Sequence, residues 1–203
     1  MAPESLNATT SSTALIRPTL KLWTVDAYHQ MSEFGILSPD ERTELISGHI
    51  TVMAAKGTAH VTALRLLATQ LDSYLQPRPF FASTQDPIYI SESSEPEPDL
   101  AIVKGSISDY ATRHPIPTDV VLIVEVADST LKYDLTVKSS LYAEAGIPEY
   151  WVQDLKNCCL HIFSDPSATG YQNQQVLYTQ MRASPQAFAD LSLSVASIFS
   201  RPG

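Results

Sequence analysis

Along residues 59–75 (AHVTALRLLATQLDSYL) apolar residues recur every three or four positions, at Val61, Leu64, Leu67 or Ala68, Leu71 and Leu75. That spacing predicts an amphipathic helix, which Pro77 ends. Residues 22–34 (LWTVDAYHQMSEF) carry helical spacing too, with Thr24 as the N-cap and Gly35 as the stop. Between these two, residues 43–53 (TELISGHITVM) form two β-rich pieces around Ser47-Gly48, a two-residue hairpin turn, and Glu44 opens the first piece. Short strands follow at 80–83, 87–90, 99–103 and 120–127, separated by turn-rich segments such as SESSEPEP and RHPIPTD. A further helix is predicted from Tyr133 to Ala145, closed by Gly146 with Pro148 just beyond. Residues 150–154 and 159–163 alternate as strands, Gly170 makes a turn, and 175–179 adds another strand before a closing loop and short helix at 188–199. The order of helix, hairpin, helix, strands, helix, strands predicts an α/β or α+β fold with a mixed sheet.

At 203 residues the chain is long enough for one substantial core, and no linker-like stretch divides it. The expected organisation is a disordered tail over residues 1–20, rich in Ser, Thr, Ala and Pro, and a single domain over 21–203. The tail lacks a charged segment leading into an apolar one, so it does not read as a secretory signal, and the sequon at Asn7 is taken as accidental. No apolar run approaches the roughly 20 residues of a spanning helix. Cys158 and Cys159, adjacent in a predicted strand, point to opposite faces and neither staple a fold nor make a metal site. The five histidines lack zinc-ligand spacing. A reducing cytoplasm is the expected location.

Thirteen Lys and Arg against 22 Asp and Glu leave a net charge of -9, with no basic run. This counts against a module that holds nucleic acid by neutralising phosphates. It counts less against a metal-dependent enzyme, because bound cations invert the field of clustered carboxylates. Nucleotide-binding readings lack support, since neither glycine-rich phosphate motif occurs.

The unusual feature is a run as apolar as Val121, Leu122, Ile123 and Val124 that ends on Glu125. An ionised carboxylate beside a strand buried on both faces is costly without a partner or a metal. Glu97-Pro98-Asp99 opens the strand DLAIV, so if the two strands are neighbours, Asp99 and Glu125 gather at one sheet edge. Two carboxylates held together are a hard-oxygen site for Mg²⁺ or Mn²⁺. Asp134, Lys138 and Tyr142 follow at four-residue spacing and form one helical stripe, which would face Glu125 if the helix packs there. Such a set suits phosphodiester hydrolysis: acids fix a metal, and a lysine orients water or stabilises developing charge.

The segments PEPDLAIV, VLIVEVADSTLKYD and KSSLYAEAGIPEYWVQDL resemble the Uma2 family, also catalogued as DUF820, which is abundant in cyanobacteria and placed among the restriction-endonuclease-like PD-(D/E)xK nucleases. ELISGHITVM followed by His60 and a helix resembles that family's opening, so the likeness spans roughly residues 20–200. The resemblance implies a mixed central sheet flanked by helices, Mg²⁺ or Mn²⁺ held by Asp99 and Glu125, Glu44 as the upstream acid, DNA as substrate, and a homodimer able to cut two strands. One departure stands out: Ala127 occupies the position two after Glu125, where the named motif has lysine. The resemblance moves that lysine onto the following helix as Lys138, whose long side chain can present its ammonium to the same point.

Each residue also has an ordinary reading. Asp99 would be a turn residue, Glu125 a solvated strand end, Glu44 a solvated acid, and Lys138 half of an exposed pair with Asp134. His60 would cover the start of its helix, and Tyr142, Tyr150, Trp151 and Trp23 would be packing residues. A nuclease-fold binding or regulatory protein without activity, or a hydrolase acting on a small phosphorylated substrate, therefore stands beside the endonuclease reading.

Overall fold

The computed structural model describes residues 19–76 and 78–199. The sequon at Asn7, Pro77 and all but the last two residues of the expected tail lie outside them. Helix α1 (Val25–Glu33) begins where Thr24 accepts a hydrogen bond from the Ala27 amide. Strands β1 (Thr43–Ile46) and β2 (His49–Val52) form a two-stranded hairpin. Its turn needs left-handed backbone at both central residues, Ser47 at φ 48° and Gly48 at φ 77°. A Cβ on Gly48 would lie 2.6 Å from the Leu22 Cβ, so close approach as well as conformation requires glycine there.

A six-stranded mixed sheet forms the centre, in the order β3 (Phe80–Ser83), β4 (Leu100–Lys104), β5 (Val120–Ala127), β6 (Glu149–Asp154), β7 (Cys159–Ser167) and β8 (Gly170–Tyr178). Among the described residues only β5 and β6 pair in parallel. A parallel pair needs a crossover, and this one is helical: α3 (Leu131–Tyr133), a π-helical turn (Asp134–Lys138) and α4 (Ser139–Glu144), ended by Gly146 at φ 77°. The fold is thus α+β, with few helices around a mixed sheet.

Alternation along the strands builds two cores. One sheet face packs Leu100, Leu122, Val124, Val126, Trp151 and Leu160 against helix α2 (Thr58–Leu75) and the C-terminal turn Val195–Ile198, beside the small pair β9 (Arg182–Ala183) and β10 (Leu193–Ser194). The other packs Ala101, Ile123, Ala127, Tyr150, Val152 and Phe163 against Tyr142 and Ile147. Leu67 of α2 is fully buried in the first core. Leu67→Ala is expected to cost about 2–5 kcal/mol, read as a lower urea midpoint with an unchanged slope.

Two stretches expected in strands are not in them. Residues 87–90 are not a strand: Pro87 has no amide hydrogen, and the amides of Ile88, Tyr89 and Ile90 donate to Pro96, Pro115 and Ser94 in neighbouring loops. Cys158 is not in a strand; it closes the β6–β7 turn in left-handed backbone at φ 49°, and only Cys159 begins β7.

Candidate active site

The carboxyl end of β5 holds the first pieces. Leu100 pairs with Val124, which sets Asp99 beside Glu125 on the α4-facing side of the sheet. The Val126 amide donates to Asp99 Oδ2 at 2.9 Å, and the Asp99 amide donates to Glu125 Oε2 at 3.3 Å. The strand runs on to Ala127, so Glu125 is not a solvated end; it is 4% exposed.

Lys138 reaches this point from the crossover. Its ammonium lies 2.9 Å from Glu125 Oε1 and 3.1 Å from Glu44 Oε2, and the Tyr142 hydroxyl donates to Glu125 Oε1 at 3.0 Å. Asp134, Lys138 and Tyr142 are all buried, so the stripe faces inward and Lys138 is no exposed partner of Asp134. A π-turn is a wide, uncommon turn found frequently at functional sites. Here the Asp134 carbonyl accepts both the Ser139 amide and the Tyr150 hydroxyl. Glu44 enters from the hairpin and accepts the Glu97 amide at 3.2 Å, while Glu97 itself turns outward to Arg42.

Glu44, Asp99, Glu125 and Lys138 therefore meet in one place, a solvent-open cleft with a cavity of about 110 Å³, also lined by Lys56, His60 and Asp128. Two partners of Asp99 escaped the sequence reading. His60 Nε2 lies 3.0 Å from Asp99 Oδ1, and the Gln85 side chain donates from Nε2 to the same oxygen at 3.1 Å. His60 is thus more than a cover for its helix, and its place after the hairpin was the available signal. Nothing local marks Gln85.

The electrostatics show a surplus of negative charge. Burial pushes the Glu125 carboxyl up to about 8, Lys138 opposes this, and Asp99, Asp134 and Glu44 add to it. Burial pulls the Lys138 ammonium down, but Glu125 and Glu44 outweigh it and hold it firmly protonated. For Asp99, burial raises the carboxyl, yet His60, the Val126 amide and Gln85 together leave it below its ordinary value. Asp134 is raised by burial, with Thr130 and Lys138 opposing. One buried ammonium, with Lys56 at the half-buried wall of the cleft, is too little charge for this many acids.

A model of the family described as "Putative restriction endonuclease" matches residues 25–196. The chain belongs to the Uma2 family. Among solved structures, this Uma2 chain resembles a "putative nuclease belonging to DUF820" from Anabaena variabilis ATCC 29413, with 17% identity and a TM-score of 0.68 over 87% of this chain and 97% of that one. At that identity the likeness speaks for the fold. No curated protein matches the Uma2 chain. Among the described residues no helix is long and apolar enough to cross a membrane. One group of metal-ligand type, Asp154, Cys159 and His161, also brings its ligand atoms within 4.8 Å of one another, and it lies apart from the acids named above.

Proposed function

We propose that this Uma2 chain is a divalent-metal-dependent endonuclease that hydrolyses DNA phosphodiesters. The observation that carries the reading is the convergence of Glu44 and Glu125 on a single buried ammonium with Asp99 set beside Glu125, whose carboxyl is raised to about 8. A hard divalent cation suits this donor set, because it is all oxygen and over-negative. Asp99 and Glu125 would hold Mg²⁺ or Mn²⁺, with Glu44 as the supporting acid. When bound, the ion acts as a Lewis acid on a phosphate oxygen and lowers the pKa of water.

The chain's own groups do the rest. His60 and Gln85 hold the Asp99 carboxylate charged and oriented. Lys138 stays protonated across the working pH range, so it orients water and stabilises negative charge on phosphate rather than acting as a base. Tyr142, also raised by burial, remains a hydrogen-bond donor to Glu125.

The proton on Glu125 gives a pH signature. Below about 8 a cation must displace it, so Mn²⁺ affinity should rise about tenfold per pH unit from 6 to 8 and then level off. Titrations in buffers of differing ionisation heat should detect about one proton released per ion at pH 7. A flat affinity over that range would contradict the protonated Glu125.

The functional test is cleavage of supercoiled, linear duplex, nicked and single-stranded DNA and of RNA, each with Mg²⁺, Mn²⁺ or chelator. DNA cleavage that needs the cation supports the proposal; cleavage of RNA alone, or undiminished cleavage in chelator, overturns it. The net charge of -9 favours a second reading, a nuclease-fold binding or regulatory module without cleavage. Cation binding without hydrolysis of any substrate would select it.

A further inference from the structure

Away from the acidic cleft, the hairpin β6–β7 assembles three side chains that the sequence keeps apart. Asp154 pairs across the strands with Cys159, and Cys159 and His161 are two residues apart on one strand, so all three share a face. The Cys159 sulfur lies 3.7 Å from His161 Nε2, and that nitrogen lies 3.9 Å from Asp154 Oδ2. These are not good hydrogen bonds. Nδ1 of the same ring is buried with no hydrogen-bond partner, so a mostly buried imidazole is poorly satisfied at both nitrogens.

The distances suit a shared ion better. With Zn–S near about 2.3 Å and Zn–N and Zn–O near about 2.1 Å, neighbouring ligands of a tetrahedral zinc stand about 3.3–3.6 Å apart. The two distances at His161 Nε2 need to contract by only a few tenths of an ångström, and all three ligand atoms already lie within 4.8 Å of one another. Its carboxylate is already aimed: Asp154 accepts the Lys156 and Asn157 amides at 3.0 Å each and the Asn157 side chain at 2.6 Å. Such supporting hydrogen bonds are how ligands are commonly oriented for a metal.

We infer that Asp154, Cys159 and His161 form a zinc site that clamps the β6–β7 hairpin, separate from the acidic cleft. Thiolate and imidazole select a borderline or soft ion, while the oxygen-only set around Asp99 selects a hard one, so the chain sorts two metals by ligand chemistry. Val152 is the register partner of both Glu125 and His161, which puts the two sites in one layer, two strand spacings or about 10 Å apart. On this reading Cys159 takes a role that the sequence expectation did not give it. The group leaves no spacing signature along the chain, because Asp154 meets Cys159 and His161 across a turn.

The test uses reduced full-length protein carrying Asp99→Asn and Glu125→Gln, so that the acidic site does not contribute. Equilibrium dialysis against Zn²⁺ with elemental analysis should find one retained equivalent. Adding Cys159→Ser or His161→Gln should weaken retention about 100-fold or more, since even a group behind a ligand is commonly worth about 10–100-fold. Co²⁺ in place of Zn²⁺ should give a thiolate charge-transfer band that survives Cys158→Ser and disappears in Cys159→Ser, with circular dichroism confirming that each variant is folded. No retained zinc, zinc held equally by folded Cys159→Ser and His161→Gln, or a band that follows Cys158 would each overturn the inference. If Cys159→Ser does not fold, His161→Gln and the Cys158→Ser spectrum decide.

Discussion

Asp99→Asn is expected to leave the chain folded and to remove divalent-cation uptake and DNA cleavage together. The substitution keeps the size of the side chain, and its oxygen can still accept the Val126 amide that now bonds Asp99 Oδ2. What it removes is the negative charge that His60 and Gln85 hold in place. Lewis-acid stabilisation of phosphoryl transfer is worth several kcal/mol, so the rate should fall by about 10²–10⁴-fold. Thermal unfolding should move by only a few degrees. Collapse of the fold in Asp99→Asn would make the residue structural, and unchanged cleavage would exclude it from the site.

Lys138→Met is expected to be the most destabilising single change in the cleft. The ammonium is buried between Glu125 and Glu44, and removing one partner of a buried ion pair leaves unpaired charge, which costs about 3–5 kcal/mol. The sign with pH follows from Glu125. Its folded value, about 8, stands above its ordinary 4.5, so its contribution to stability is full below about 4.5 and is lost as pH rises through about 8. Without Lys138 that value moves higher still; below about 8 Glu125 holds its proton in both folded proteins and their stabilities fall in parallel, so the loss in Lys138→Met should be larger at pH 9.5 than at pH 7. Two further results should accompany it: Lys138→Met/Glu125→Gln should recover much of the stability, and Mn²⁺ should stabilise Lys138→Met by replacing the missing positive charge. Urea unfolding at the two pH values measures all of this, and a pH-independent cost would contradict the account.

The elements that could be read from the sequence are those whose burial is one-sided or complete. Helix α2 writes its buried face as Leu64, Leu67, Leu71 and Leu75, and β5 is buried throughout, so periodicity or a continuous apolar run gives each away. Strand β8 spans Gly170–Tyr178 where the sequence pattern predicts only 175–179, because it is an edge strand whose residues 172–175 face solvent and carry no apolar signal. The π-turn was invisible for a different reason: it changes which amide meets which carbonyl without changing the spacing of Asp134, Lys138 and Tyr142 in sequence.

In the cleft, a charged residue ending an apolar run pointed to Glu125, and the motif likeness pointed to Asp99, Lys138 and Glu44. That these four meet depends on the β4–β5 register and on the hairpin docking beside the sheet, neither of which leaves a local mark. His60 and Gln85 reach Asp99 from 39 and 14 residues away, and only the folded chain reveals those contacts.

The most direct test of the central claim is calorimetric titration of Mn²⁺ into the wild-type chain and into Asp99→Ala/Glu125→Ala, both checked for folding. The account predicts saturable binding by the wild type, tighter at pH 8 than at pH 6, and none by the double variant. Equal binding by the two proteins, or no binding by the wild type at either pH, would contradict an acidic metal site at Asp99 and Glu125.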